Sequence, residues 1–310
     1  MAITIGRLGY LGLGLEATPG TAVAASVYLP YTDISLRAHE EPLEIISGKT
    51  SRLMDKDSVL GKKWGEGDVK IDCDVVNSGY LWKMVLGNEL YEAGTPSNHT
   101  FYTTVSGNTP KTATLLLGRD TDNEQYAFAA CDELNMEVSD GLASVGCSVM
   151  TAFPTTAGAS TATTTSGTVF SFKDLAVQFG TTLTTAASAG ATAINDFSLT
   201  LANNLEVIHR SGSNDVSTIR TKGFRATGSY TVYFDSVTDR DAYYALNKRA
   251  MIATFTGNAN EQLRVRIPQF RLSEGDISTG LDDFYVIKAE FVAEDVVDSG
   301  CRLVDVRLQN

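Results

Sequence analysis

Histidine is scarce in this chain, with three in 310 residues at His39, His99 and His209. Each stands in a polar, loop-like stretch, and none sits beside a plausible nucleophile, so acid–base or triad chemistry has no visible carrier. The four cysteines, Cys73, Cys131, Cys147 and Cys301, are far apart and form no C-x-x-C pair. That spacing argues against a zinc site and favours reduced thiols, with Cys73 and Cys147 acting as small buried hydrophobes on the apolar faces of strands. No apolar run reaches the length a membrane-crossing helix needs. Ala22-Val23-Ala24 mimics a signal-peptide cleavage site, but Glu16 and the glycines between Gly6 and Gly14 interrupt any apolar core before it. Cations are in deficit as well: 25 Lys and Arg stand against 37 Asp and Glu, a net charge of −12. A surface that grips nucleic acid by neutralising phosphates needs the opposite balance.

Short motifs fail on inspection. Gly48-Lys49-Thr50 resembles the end of a phosphate-binding loop, yet Leu43 stands where that loop requires its first glycine. Gly9, Gly12 and Gly14 have the wrong spacing for a dinucleotide turn, and no βαβ pattern surrounds them. Asp120-Thr121-Asp122-Asn123-Glu124 lacks the glycine and the final glutamate of a calcium loop, so a hairpin turn is expected there. The expectation is a non-enzyme without metal or cofactor.

What the chain does contain is strand pattern, present twice. Apolar Val69, Ile71, Cys73 and Val75 alternate with Lys70, Asp72 and Asp74, and Tyr230, Val232 and Phe234 repeat the rhythm. Such strands have one dry face and one wet face, the behaviour of antiparallel sheets packed as a sandwich. Asp33-Ile34-Ser35-Leu36 recurs as Asp196-Phe197-Ser198-Leu199, and Gly67 to Asp74 recurs in pattern as Gly228 to Asp235. Strands at Leu11–Leu15 and Leu175–Phe179 precede these segments, while Glu124-Gln125-Tyr126 matches Glu261-Gln262-Leu263 and Val149–Phe153 matches Ile287–Phe291. Helical spacing appears at Tyr80–Leu86, closed by Gly87, and at Asp241–Arg249. The expected fold is mainly β: two tandem antiparallel β-sandwich domains, residues 1–153 and 169–310, each with a short flanking α-helix. Residues 154–168, with no charge and no large apolar residue, read as a linker. A second low-complexity run, Thr181 to Ala193, reads as a long hairpin loop.

After the first repeated strand of each half comes a polar arm. The first, Glu40 to Lys63, mixes Glu44, Lys49, Arg52, Lys56, Asp57, Lys62 and Lys63 with Ile45, Ile46, Leu53 and Met54. Its counterpart carries Glu206, Arg210, Asp215, Arg220 and Lys222. Arms of this length in compact domains serve a purpose, and scattered aliphatics among alternating charges suit a contact with a neighbouring subunit.

Taken together, Leu15-Glu16-Ala17-Thr18-Pro19-Gly20-Thr21-Ala22, the Ser-Leu strand, the charged arm, Gly65-Glu66-Gly67, Gly79-Tyr80-Leu81-Trp82-Lys83 and Phe170-Ser171-Phe172-Lys173-Asp174 resemble the tail tube proteins of long-tailed bacteriophages. That resemblance spans nearly the whole chain. It implies a structural virion protein that polymerises into stacked rings around a channel for the tape-measure protein and then for DNA. It implies as partners the chain itself, the tape-measure protein, the tail terminator and the tail-tip or baseplate proteins, with DNA only in transit and no membrane. The site of action would be the virion tail, assembled in the host bacterial cytoplasm, and the flexible non-contractile kind of tail is the preferred one. Combined with the internal repeat, it implies three chains per ring, six sandwiches around one channel. A capsid decoration protein is the neighbouring alternative, and a carbohydrate-binding adhesin would need an exposed aromatic platform that Trp64 and Trp82 alone must supply.

Overall fold

The computed structural model describes residues 8–45, 58–103, 107–119, 122–158, 160–165, 167–233, 238–258, 260–278, 285–296 and 303–309. In chain order the first half contains β1 (Tyr10–Leu15), β2 (Val27–Leu29), β3 (Tyr31–Ile34), β4 (Arg37–Glu44), β5 (Ser58–Asp72), α1 (Ser78–Leu86), β6 (Asn88–Glu92), β7 (Asn98–Tyr102), β8 (Thr112–Gly118), β9 (Asn123–Val138) and β10 (Ser144–Thr151). Then come β11 (Thr155–Thr156), β12 (Leu175–Gly180), α2 (Leu183–Ser188), β13 (Asp196–Ala202), β14 (Leu205–His209), β15 (Val216–Thr221) and β16 (Arg225–Tyr233). The chain closes with α3 (Thr238–Tyr244), β17 (Arg249–Thr256), β18 (Gln262–Ser278), β19 (Val286–Ala293) and β20 (Asp305–Gln309).

Alternation in sequence becomes alternation in burial. Along β10, Val145, Cys147, Val149 and Thr151 are buried while Ser144, Gly146, Ser148 and Met150 are half-exposed. β13 does the same with Phe197, Leu199 and Leu201. The fold is mainly β, as the alternation predicts, and all the strand pairs are antiparallel. α1 runs over the helical stretch expected around Tyr80–Leu86, buries Leu81, Trp82, Met84 and Val85, and stops at Gly87, whose φ of 87° a glycine tolerates without strain.

Both halves follow one pairing order. In the first, ladders join β1, β8, β9, β10, β5 and β3 in succession. In the second the succession is β12, β17, β18, β19, β16 and β13. Irregularities recur at matching places. Between β9 and β10 the ladder skips Asp132, and between β18 and β19 it skips Ser273. The β8–β9 ladder steps from Ala113↔Ala129 to Leu115↔Tyr126, and the β17–β18 ladder from Arg249↔Phe270 to Met251↔Ile267. Bulges of this kind bend a strand and increase its twist. β9, 16 residues long, and β18, 17 residues long, thus pass from one ladder partner to another partway along.

Two sequence matches are explained at the atomic level. Asp33 pairs with Lys70 as Asp196 pairs with Thr231, and the Asp68 amide donates to Ser35 Oγ at 2.9 Å as the Ser229 amide donates to Ser198 Oγ at 3.2 Å. A Cβ on Gly67 would lie 2.6 Å from the Ser35 carbonyl oxygen, and one on Gly228 would lie 2.3 Å from that of Ser198. The other matches fall on the right strands but four residues out of register: the ladders set Val149 against the position of Phe291, and Gln125 against that of Arg266.

Three expectations change. The second-half helix, α3, spans Thr238–Tyr244, ahead of Asp241–Arg249, because Arg249 already belongs to β17. Thr181 to Ala193 holds α2, started by reciprocal capping between Thr182 and Thr185. Residues 154–168 are fastened along the first half: β11 pairs with β9, the Ala157 amide donates to Asn123 O at 2.7 Å, Asn77 Nδ2 to Thr165 O at 2.8 Å and the Val75 amide to Thr168 O at 3.2 Å. A segment that cannot bury surface of its own is held by borrowed partners.

The halves are also joined to each other. β9 pairs with β13, and β20 pairs with β7 as well as β18. Buried apolar residues from both halves form one contiguous cluster.

Candidate assembly interface

The first arm is a β-hairpin rather than a loop. β4 pairs with the first part of β5, with an irregularity between Glu40 and Pro42, where a proline cannot donate to the ladder. Glu44 ends β4, and Leu43, Ile45, Val59 and Leu60 are exposed on it, an unusual density of aliphatic surface for a hairpin. Lys62 and Lys63 lie on β5. Ile46, Lys49, Arg52, Leu53, Met54, Lys56 and Asp57 lie outside the described residues.

The second arm is the β14–β15 hairpin. It lies on the first half of its own chain: Leu205 and Ile219 are buried with Phe128 and Ala130. Lys222 pairs with Glu206 at 3.2 Å across the hairpin, and both are largely exposed. Arg220 donates to Asn108 Oδ1 at 3.4 Å and to Thr109 Oγ1. Arg210 stands exposed at the turn.

The hairpins meet at Lys63. Its amide donates to Asn214 O at 3.0 Å, its ammonium reaches Asp215 at 3.1 Å and lies 5.0 Å from the centre of the Phe153 ring, and its carbonyl faces His209 Nε2 at 3.3 Å. Of the expected arm residues, the structure thus brings Lys63 of the first arm together with Asp215 of the second, and Arg210 lies in the same turn as Asp215. Beside this junction Trp64 stacks on His39 at 5.3 Å and donates its indole N–H to Glu66 at 3.1 Å. That hydrogen bond, then the charges of His39 and Arg37, hold the Glu66 carboxyl below its ordinary value despite some burial. Trp82 is wholly buried, so no pair of tryptophans forms an exposed sugar platform.

Glu16, expected only as a charge that breaks the apolar N-terminal run, is buried. It is 1% exposed and accepts from four donors: Gly20 N at 2.7 Å, Thr112 Oγ1 at 2.7 Å, Thr114 Oγ1 at 2.8 Å and Phe128 N at 2.8 Å. A buried carboxylate is tolerable when donors saturate it. Its signal was the Pro19-Gly20 turn four residues on, which folds the Gly20 amide back onto it. Asn203 was missed; its Nδ2 donates to Val85 O at 3.0 Å and Cys131 O at 2.9 Å, tying α1 and β9 to the end of β13. Cys73, Cys131 and Cys147 are buried free thiols, Cys73 and Cys131 with pKa values pushed up by burial; Cys301 lies outside the described residues. Among the described residues no group of three or more His, Cys, Asp or Glu could hold a metal ion.

One sheet runs through both halves in the order β3 and β4, β5, β10, β9, β13, β16, β19, β18. Opposite its buried face, the alternation places Glu66, Asp68, Asp72, Glu133, Glu137, Asp196 and Glu290 against Arg37, Lys70, Lys288 and Arg225. Among the described residues, neither the outer edge of β3 and β4 nor that of the last residues of β18 has a strand partner. An open groove of about 560 Å³ lies between the end of α1 and Thr221–Arg225.

A family model described as phage tail tube protein matches residues 6–291. No curated protein matches the chain.

Proposed function

Because the chain belongs to the phage tail tube protein family, and is accordingly a structural component of the virion tail, we propose that three copies close into a ring of six similar sandwiches. The domains are residues 1–153 and 169–310, joined by 154–168. The observation that carries this reading is the repeated pairing order with its repeated bulges, which two unrelated sheets have no reason to share. A chain with two copies of the family's building unit fills two positions of a ring.

Stacked rings form the tail tube, and the acidic face of the continuous sheet lines the channel. Its carboxylates repel the phosphates of passing DNA and give them no cationic surface to bind. The hairpin at Glu44 to Lys63 and the one at Glu206 to Lys222 carry contacts between chains. The tape-measure protein occupies the channel during assembly in the host cytoplasm, and terminator and tail-tip proteins meet the two ends. The chain performs no chemistry of its own. Electron microscopy of the purified protein tests the reading: hollow tubes or rings of one diameter are expected, and shells decorated by single copies, without self-assembly, would overturn it.

A further inference from the structure

We propose that the last residues of β18 in one copy pair antiparallel with the edge from Ser35 to His39 in the next copy, in the register of the β9–β13 ladder inside each chain. The proposal rests on the three-chain ring. If six sandwiches are alike, the junction within a chain is the template for the junction between chains.

The ladders fix which residues correspond. Glu133 to Glu137 and Glu274 to Ser278 each follow a skipped residue, Asp132 or Ser273, and face equivalent stretches of β10 and β19. On the other side, Ile34, Arg37, Ala38 and His39 face Val69, Glu66, Gly65 and Trp64, as Phe197, Thr200, Leu201 and Ala202 face Tyr230, Thr227, Ala226 and Arg225. Within the chain Ser198 opposes Glu137, Leu199 opposes Met136, Thr200 opposes Asn135 and Ala202 opposes Glu133. Transferred between copies, Ser35 opposes Ser278, Leu36 opposes Ile277, Arg37 opposes Asp276 and His39 opposes Glu274.

Three features of the chain fit this pairing. The Thr200 and Asn135 pair within the chain, 3.4 Å apart, becomes a pair of opposite charge between copies, Arg37 with Asp276; charges at a sheet junction select register and partner. The Ser35 amide is spent on Asp68 O at 2.9 Å, so by strand alternation Leu36 turns its amide and carbonyl outward. That carbonyl now accepts from Arg119 Nη2 at 3.4 Å, and Arg119 has Glu124 at 2.8 Å to fall back on when a strand displaces it. Finally, the same shift carries the next copy's first hairpin, with its exposed Leu43, Val59 and Leu60, over Thr221–Arg225 at the open groove, as the second hairpin already covers Leu60–Trp64 within the chain.

Cysteine cross-linking in assembled tubes tests the register. Ser35 and Ser278 form a pair without mutual hydrogen bonds, whose Cα atoms lie about 4.5 Å apart, within disulfide reach. The double variant Ser35→Cys/Ser278→Cys, oxidised and run without reductant, is expected to give covalent species ending at three chains. The control Ser35→Cys/Asp276→Cys is diagonal at about 7–8 Å and is expected to give none. Cross-linked species ending at six chains would keep this junction and overturn the three-chain ring. Intact tubes without cross-link would overturn the junction and leave the ring standing. Should the double variant not assemble, hydrogen exchange on the unmodified protein decides: slowed exchange at the Leu36 and Ile277 amides in tubes relative to free chains supports the ladder, and equal exchange overturns it.

Discussion

Replacing Glu16 should show how much one buried carboxylate holds together. Its Oε2 accepts from the Gly20 amide and Thr112 Oγ1, and its Oε1 from Thr114 Oγ1 and the Phe128 amide. In Glu16→Ala the two threonine hydroxyls can rotate toward other acceptors, but the two backbone amides cannot. Leaving a buried donor unpaired costs about 1–3 kcal/mol each, so the variant should lose about 2–6 kcal/mol. At about 2–4 °C per kcal/mol for domains of 150–250 residues, its melting temperature should fall by at least about 4 °C. Glu16→Gln keeps one oxygen and lets a threonine hydroxyl accept from the new amide, so only one backbone donor is left facing a donor. Its loss should be about 1–3 kcal/mol, smaller than that of the alanine variant. Calorimetry of the three proteins under matched conditions is the assay. A Glu16→Ala protein melting within about 1 °C of the parent would refute the cage, since even one lost amide partner exceeds that shift.

Gly67→Ala and Gly228→Ala should destabilise alike, by about 1–3 kcal/mol each from forced overlap, because both new methyls meet the carbonyl oxygen of a corresponding serine; denaturant midpoints that move for one variant alone would contradict the structural equivalence. Glu66, depressed chiefly by the Trp64 indole, contributes stability present above its ordinary value of 4.5 and lost as pH falls through its lower folded value. Trp64 fluorescence should therefore change on acidification below pH 4.5, and Glu66→Gln should flatten that response. Deleting Gly48 to Leu60 should leave soluble chains that form no tubes, checked by sedimentation and microscopy; normal tubes would remove the first hairpin from the assembly surface.

The strands were legible because one face of each is wet: Val145, Cys147 and Val149 alternate with small polar residues, and a period of two needs no tertiary information. The repeat was legible where a short-range constraint fixed residue types, as with the Ser35 and Ser198 hydroxyls and the glycines beneath their carbonyls. It was misaligned by four residues along β9 and β18 and along β10 and β19, where the register is set by ladder partners on other strands and the equivalent residues, Gln125 with Arg266 and Val149 with Phe291, share no side-chain chemistry. α2 went unseen because a Thr- and Ala-rich run looks the same as a loop until a cap is recognised. The arms were found as charged insertions but not as hairpins, since the first exposes Leu43, Val59 and Leu60 and the second buries Leu205 and Ile219 against Phe128 and Ala130, partners far away in sequence. Glu16 takes three of its four donors, and Asn203 both of its acceptors, from partners distant in sequence, and the Pro19-Gly20 turn beside Glu16 is the one local sign of either.

The most direct measurement is cryo-electron microscopy of assembled tubes at a resolution that separates sheets. Three-fold rings are expected, in which six sandwiches alternate between two similar forms with the acidic sheet face toward the channel. Rings of six chains, or a channel lined by the opposite face, would contradict this arrangement.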